Sequence, residues 1–326
     1  MANRVCEVLG IEKPIIMGPA NWLTNAELAG AVSKAGGLGV LGFSAGQTEP
    51  VFTIEETIAN MRAEVRKVRE ITKNPLGINI AMSALSPDLN AFNGPMLQLM
   101  KEEGVEVAVT GGDVTPEWID QFKGAGIKVV FRAQAPNAQN TRDAVAAGVD
   151  VIVATGFDEG GTVPPQAIGT FSMLPLIVDA AEGKVPVVAA GGIVDERTAR
   201  AAFVLGAEGL YVGTAFLLSK ESPIADNIKQ MAIKADANDL IMYRTVPAYY
   251  RSLPGELPNK LLEMSNAGAT EEEIYEAQHR YIGMRDGMLF GDLSKGYASF
   301  GCGISFIHAV EPVQTIIDRM MKGVTM

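Results

Sequence analysis

The stretch VPVVAAGGIVDERTARAAFVLGAEGLYVGT, residues 185–214, holds one whole structural unit. Val185–Ala190 is a short apolar run, continuous rather than alternating, as suits a strand buried on both faces. Gly191 and Gly192 follow it. Asp195–Leu205 then carries its apolar residues at helical spacing. Leu205-Gly-Ala-Glu-Gly places a glycine just past the helix, where a left-handed residue ends it most easily. The next strand, Gly209–Gly213, runs into Thr214.

The same unit recurs. Pro14–Gly18, Leu38–Gly42, Leu76–Ala81, Val105–Thr110, Lys128–Arg132 and Val149–Ala154 read as further buried strands, giving eight in all. Helical patterns at Asn25–Ala35, Ile54–Ile71, Pro95–Glu103, Pro116–Gly124, Ala138–Ala147, Phe171–Ala181 and Pro223–Ala235 alternate with them. Lys34-Ala-Gly-Gly, Lys123-Gly-Ala-Gly-Ile and Ala146-Ala-Gly-Val repeat the helix–glycine–strand junction. Eight βα units in about 220 residues match an α/β fold of the (β/α)8 barrel kind. An open doubly wound sheet fits the same local pattern but more often stops at five or six strands. Residues 1–235 are thus expected to form the barrel.

Residues 236–326 show no further strand–helix cycle. They contain Tyr249-Tyr250, a Pro254-Gly255 turn, an acidic helix from Thr270 to about Arg280, a glycine-rich segment from Gly291 to Gly303, and a helix at Val310–Met321. The expectation is a C-terminal helical addition that packs over one end of the barrel and returns to it. Gly37-Leu-Gly39-Val-Leu-Gly42 matches a dinucleotide fingerprint, but it follows a helix and opens a strand, the reverse of what that fingerprint requires.

Composition narrows the function. The 326 residues are 48% hydrophobic, enough for a large core, and carry a net charge of −11. The densest basic run, Arg62–Arg66–Lys67–Arg69, is mixed with Glu64 and Glu70 and reads as a solvated helix face. Nucleic acid and anionic membranes are therefore not expected partners. Two cysteines cannot form a disulfide framework and fit a reducing cytosol, so a cytoplasmic location is expected. Two histidines make a multi-histidine zinc site a poor fit, and no metal is expected.

Active sites of such barrels lie at the C-terminal ends of the strands. Those ends here read Gly18-Pro19-Ala20-Asn21, Asn79, Thr110-Gly111-Gly112-Asp113, Arg132, Thr155 to Thr162, Gly191-Gly192 and Gly213-Thr214. Glycine lets a ligand approach backbone N–H groups closely. The loops after the seventh and eighth strands are the usual phosphate site. Gly192, Gly213 and the Thr214 hydroxyl are well placed for it. The bland reading of any one of these glycines is a tight turn.

These strand ends carry a resemblance. With Pro14-Ile-Ile-Met-Gly, Pro75-Leu-Gly-Ile-Asn-Ile, Ala189-Ala-Gly-Gly-Ile and Val212-Gly-Thr, the chain resembles the flavin-dependent family of nitronate monooxygenases (2-nitropropane dioxygenases) and flavin-type enoyl-acyl-carrier-protein reductases, which are TIM barrels. The resemblance covers residues 10–235 well and 285–320 more weakly. It implies FMN. Gly18 and Pro19 would lie along the ring, Asn79 at its polar edge, and Arg132 near the pyrimidine. Gly160 and Gly161 would sit in the loop after the sixth strand. Gly191, Gly192, Gly213 and Thr214 would hold the phosphate.

Several departures bear on the chemistry: Thr155 stands where the family often has an acidic residue, Ala215 where Arg follows the Gly-Thr, Cys302 where Gln follows the C-terminal Gly, and Thr162 where it has His. The family's Ala-Gly-Gly-His, whose His handles a proton, reads Glu159-Gly160-Gly161-Thr162 here. Thr162 thus stands at the His position, and a threonine is no base near neutral pH. Tyr249, with Tyr243 and Tyr250 nearby, is a candidate proton donor in an ene reduction. Asp158 and Glu159 could bind a cation but read more simply as loop surface. His308 reads as a buried structural histidine rather than a replacement for the missing base, His279 as a surface residue, and Cys302 as packing, with a role beside the flavin as the alternative.

The resulting expectation is an FMN-dependent oxidoreductase using NADPH or NADH to reduce an activated C=C bond or a quinone. The alternatives are a nitronate monooxygenase working without the usual His, and a flavin-binding protein of low activity. The substrate is a small molecule or acyl group, and a homodimer is compatible with the sequence.

Overall fold

The computed structural model describes residues 3–84 and 87–324. Eight parallel strands form the barrel: β1 (Ile15–Met17), β2 (Gly39–Leu41), β3 (Leu76–Met82), β4 (Val107–Gly112), β5 (Lys128–Ala133), β6 (Val151–Thr155), β8 (Val187–Ala190) and β9 (Gly209–Val212). Their order is β1-β9-β8-β6-β5-β4-β3-β2, and a parallel bridge from Ile16 to Leu38 closes the ring between β1 and β2. The expected barrel is thus the observed one, and the open sheet is excluded.

The unit at residues 185–214 shows why the chain folds this way. The residues of β8 and β9 are all buried, as continuous apolar strands should be. Asp195 caps the helix Glu196–Val204 by accepting from the Arg197 and Thr198 N–H groups, and Thr198 answers in a capping box. Gly206 leaves that helix with φ +99°, the left-handed conformation glycine adopts freely. The false fingerprint at residues 37–42 has a packing cause. A Cβ on Gly39 would lie 1.9 Å from the Ala29 carbonyl oxygen, so the helix Ala26–Lys34 rests directly on β2.

The C-terminal addition departs from expectation in being partly sheet. β10 (Ile241–Arg244) and β11 (Tyr249–Ser252) form an antiparallel hairpin. β11 also pairs with β7 (Gly161–Val163), a strand within the loop after β6. Four- and three-residue strands are too short to leave a clear alternating pattern in the sequence. Tyrosine and the register Tyr249↔Val163, Tyr250↔Thr162 make this sheet, so it depends on contacts across some 90 residues of chain that no local window sees.

The helices Glu256–Asn266 and Glu271–Ala277 follow, the second capped by Thr270 and Glu273. They and the hairpin share a small core of Tyr243, Tyr250, Leu257, Leu261, Ile274 and Tyr297. The final helix, Val313–Met320, rejoins the main core through Val313, Ile316, Ile317 and Met320. Each such side chain contributes about 1.5–3 kcal/mol by leaving water.

Candidate active site

The barrel strands end around a cavity of about 380 Å³, within the size range of small-molecule sites. Barrel residues and the addition both line it. Gly18, Pro19 and Asn79 come from β1 and β3, Arg132 from β5, and Gly160, Gly161 and Thr162 from the loop after β6. Gly191, Gly192, Gly213 and Thr214 follow β8 and β9. Tyr250, Met284, Met288, Ser299, Gly301 and Gly303 come from beyond residue 236.

The glycines of this wall are of two kinds. At Gly111, Gly161 and Gly213 an added Cβ would meet nothing within 4 Å. No neighbouring atom demands glycine there, although Gly161 needs it for its φ of +84°, and all three line the cavity. That is a cradle which side chains would fill. At Gly160 a Cβ would lie 2.6 Å from the Gly301 nitrogen and the Phe300 carbonyl carbon. At Gly191 it would lie 2.7 Å from the Thr170 Oγ1. Close packing explains these two. Gly191 and Gly192 also hold φ values of +100° and +72°.

The segment 299–301 is stitched to the cavity wall. The Gly301 N–H donates to the Thr214 Oγ1 at 2.9 Å. The Gly161 N–H donates to the Ser299 Oγ at 2.5 Å, and that hydroxyl donates to the Arg251 carbonyl at 2.7 Å.

Polar chemistry gathers at the β5–β6 side. The Arg132 Nη2 donates to the Glu159 Oε2 at 2.5 Å, and the two side chains are only 19% and 12% exposed. The other oxygen, Glu159 Oε1, is buried with no hydrogen-bond partner. Burial pushes the Glu159 carboxyl above the ordinary carboxylate range, against the pull of Arg132 and Arg251. Desolvation works against the Arg132 charge, yet Glu159 outweighs it and holds that pKa up. Burial likewise raises the nearby Tyr211 phenol. Arg251 fastens the loop itself, donating to the Phe157 carbonyl at 2.9 Å and to the Glu159 carbonyl.

Several sequence expectations need correction here. Glu159 is not loop surface but a wall of the cavity. Asp158 is half-buried and holds the start of the helix Thr170–Ala181, its Oδ2 accepting from the Thr170 N–H at 2.6 Å. Two adjacent acidic residues in a glycine-rich loop read as solvated because their partners, Arg132 and Thr170, lie on other elements.

Tyr249 is outside the cavity. Neighbours on a strand face opposite ways, so its ring packs edge-on against Phe157 at 6.5 Å with the Arg244 guanidinium over it. Tyr250 is the tyrosine of that strand that lines the cavity, its ring edge-on to Tyr297 at 4.7 Å. His308 is exposed, not buried, and His279 is exposed as expected. Cys302 lines a second cavity of about 450 Å³ with Phe171, Arg197 and Phe306 rather than the first.

Similar proteins locate this architecture. The family model for nitronate monooxygenase matches residues 2–323. A 5-hydroxy-7a-methyl-1-oxo-octahydro-1H-indene-4-carboxyl-CoA dehydrogenase of Mycobacterium tuberculosis is 34% identical over 263 residues, 80% of this chain and 68% of that protein. A probable nitronate monooxygenase of Staphylococcus haemolyticus is 32% identical over 282 residues, 74% of each chain. The structure of FabK from Thermotoga maritima superposes with a TM-score of 0.83 at 30% identity, covering 99% of this chain and 96% of that one. A full-length family match, on a closed barrel whose strand ends form one glycine-cradled cavity, makes this chain a member of the nitronate monooxygenase family of flavin-dependent oxidoreductases.

Proposed function

We propose that the cavity binds FMN and that the protein is an FMN-dependent oxidoreductase reducing an activated C=C bond with NADPH or NADH. The observation that carries this reading is the cavity wall itself. Open glycine positions stand where a phosphate and a flat ring need backbone access, and Thr162 stands where the family's resemblance places a histidine base. The fit is chemical as well as spatial. Arg132 offers a guanidinium suited to the electron-rich pyrimidine edge, and Gly192, Gly213 and Thr214 offer backbone groups suited to an anion.

When bound, FMN supplies hydride transfer at N5. The chain's own residues position it and exclude water. Ser299 and Gly301, tied to Gly161 and Thr214, hold the C-terminal segment against the cavity wall. Residues 236–326 then serve as a cap that completes the substrate side of the site. Tyr250, Met284 and Met288 give that side an apolar character suited to an acyl group. Hydride transfer to a polarised C=C bond does not need an imidazole base, which fits a threonine at position 162.

The test is anaerobic. Protein reconstituted with FMN should bleach on titration with NADPH or NADH and recover its colour with crotonyl-CoA. Bleaching by propyl-2-nitronate and not by either nicotinamide would overturn the reading in favour of nitronate oxidation. Failure to bind FMN would overturn it altogether.

A further inference from the structure

We propose that Glu159 is the catalytic acid–base of this cavity, taking over at a new position the proton work that Thr162 cannot do. The inference rests on the function proposed above. Three independent observations of the chain carry it. Glu159 lines the cavity. Its Oε2 is held by Arg132 at 2.5 Å, which fixes the carboxyl in place. Its Oε1 is buried without a partner, a costly arrangement unless an occupant of the cavity completes it.

The surroundings suit a group that changes charge. Arg132 from β5 and Arg251 from β11 both act on the Glu159 carboxyl, and the Tyr211 phenol from β9 lies within electrostatic reach. The two cations stabilise the carboxylate once it forms. Burial stabilises the neutral acid before that. A carboxyl held between these opposing influences can both give and regain a proton.

The step balances as follows. A polarised C=C bond receives a hydride, with its two electrons, at the β-carbon. The electrons come from the nicotinamide reductant. The C=C π pair moves to the α-carbon and takes the proton from Glu159. The Glu159 carboxyl becomes a carboxylate paired with Arg132, and solvent returns its proton.

The test compares wild type with Glu159→Gln, which keeps shape and removes the titration. In the FMN-free protein, infrared difference spectra across pH should show a protonated carboxyl band that persists above the ordinary glutamate range and is absent from E159Q. In the FMN-loaded protein, turnover of crotonyl-CoA should fall about 100-fold in E159Q. Its pH profile should lose one limb, while the Kd for FMN stays within threefold. A purely structural Glu159 would change the Kd or the melting temperature and leave the pH limb in place, which would overturn the proposal. So would a carboxyl band that titrates at the ordinary glutamate value. If wild type binds no FMN, the function proposed above fails. The infrared titration then still decides whether Glu159 is a buried proton-holding group.

Discussion

At Gly213 the cavity wall is bare backbone, and an added methyl group would meet nothing within 4 Å. At Glu159 the wall is a carboxyl pressed against a guanidinium 2.5 Å away, with one oxygen unpartnered. One region is built by leaving side chains out, the other by packing charged side chains together. The first asks only for glycine at a strand end, so it tolerates wide change elsewhere. The second depends on three elements meeting, because Arg132, Glu159 and Arg251 come from β5, the loop after β6, and β11. Affinity for a cofactor and choice of chemistry can therefore vary separately in one barrel.

The largest expected effect lies at the packed region. Arg132→Met leaves a buried carboxylate without its ion-pair partner, which costs about 3–5 kcal/mol for a fully enclosed pair. The lower figure applies here because the two side chains keep 19% and 12% exposure. The sign with pH follows from the raised Glu159 pKa. A carboxyl whose folded pKa lies above its unfolded value stabilises the fold below the unfolded value and loses that contribution as pH rises through the folded one. Without Arg132 the folded pKa climbs further. Urea unfolding should therefore find R132M close to wild type near pH 4 and progressively weaker toward pH 8. A loss of stability independent of pH would show that the guanidinium matters as packing and that the charged region is no proton site.

Next in size is a pair of glycine substitutions. Gly213→Asp puts a carboxylate into the open cradle. FMN affinity should fall at least 100-fold, about 2.7 kcal/mol, with the urea midpoint of the FMN-free protein unchanged. Gly160→Ala should do the reverse. Its methyl meets the Phe300–Gly301 backbone at 2.6 Å, so overpacking should cost about 1–3 kcal/mol of stability before any ligand is added. Flavin fluorescence titration and urea unfolding of both variants decide the matter. If G213D unfolds the protein, or G160A costs nothing, the division of the wall into cradle and packed glycines is wrong.

The same division explains what could be read from the sequence. The strands and their glycines are local: an apolar run, a glycine past the helix, a glycine at the strand end. All eight strands, and the glycines at their ends such as Gly213, are legible that way. Glu159 is not, because its partner Arg132 and the Phe300–Gly301 backbone packed on its loop lie far from it in the chain. An Asp-Glu pair beside two glycines has the composition of a solvated loop. β10 and β11 failed for a related reason. They gain their order by pairing with β7, so the second small core around Tyr250 and Tyr297 had no local signature.

The smallest effect tests that pairing. In β11 the register Tyr250↔Thr162 decides which tyrosine faces the cavity, since slipping a strand by one residue exchanges its faces. Tyr249→Phe keeps the ring that packs on Phe157 and lies under Arg244 and removes only a hydroxyl outside the cavity. Stability should change by less than about 0.5 kcal/mol, and turnover in the crotonyl-CoA assay should stay within twofold. A drop of tenfold or more would place the Tyr249 phenol beside the substrate. It would then be β11, and with it Thr162 on the paired strand, that presents the opposite face. The carboxyl of Glu159 would no longer be needed as the proton source. The weakest substitution is thus the one on which the assignment of the packed region turns.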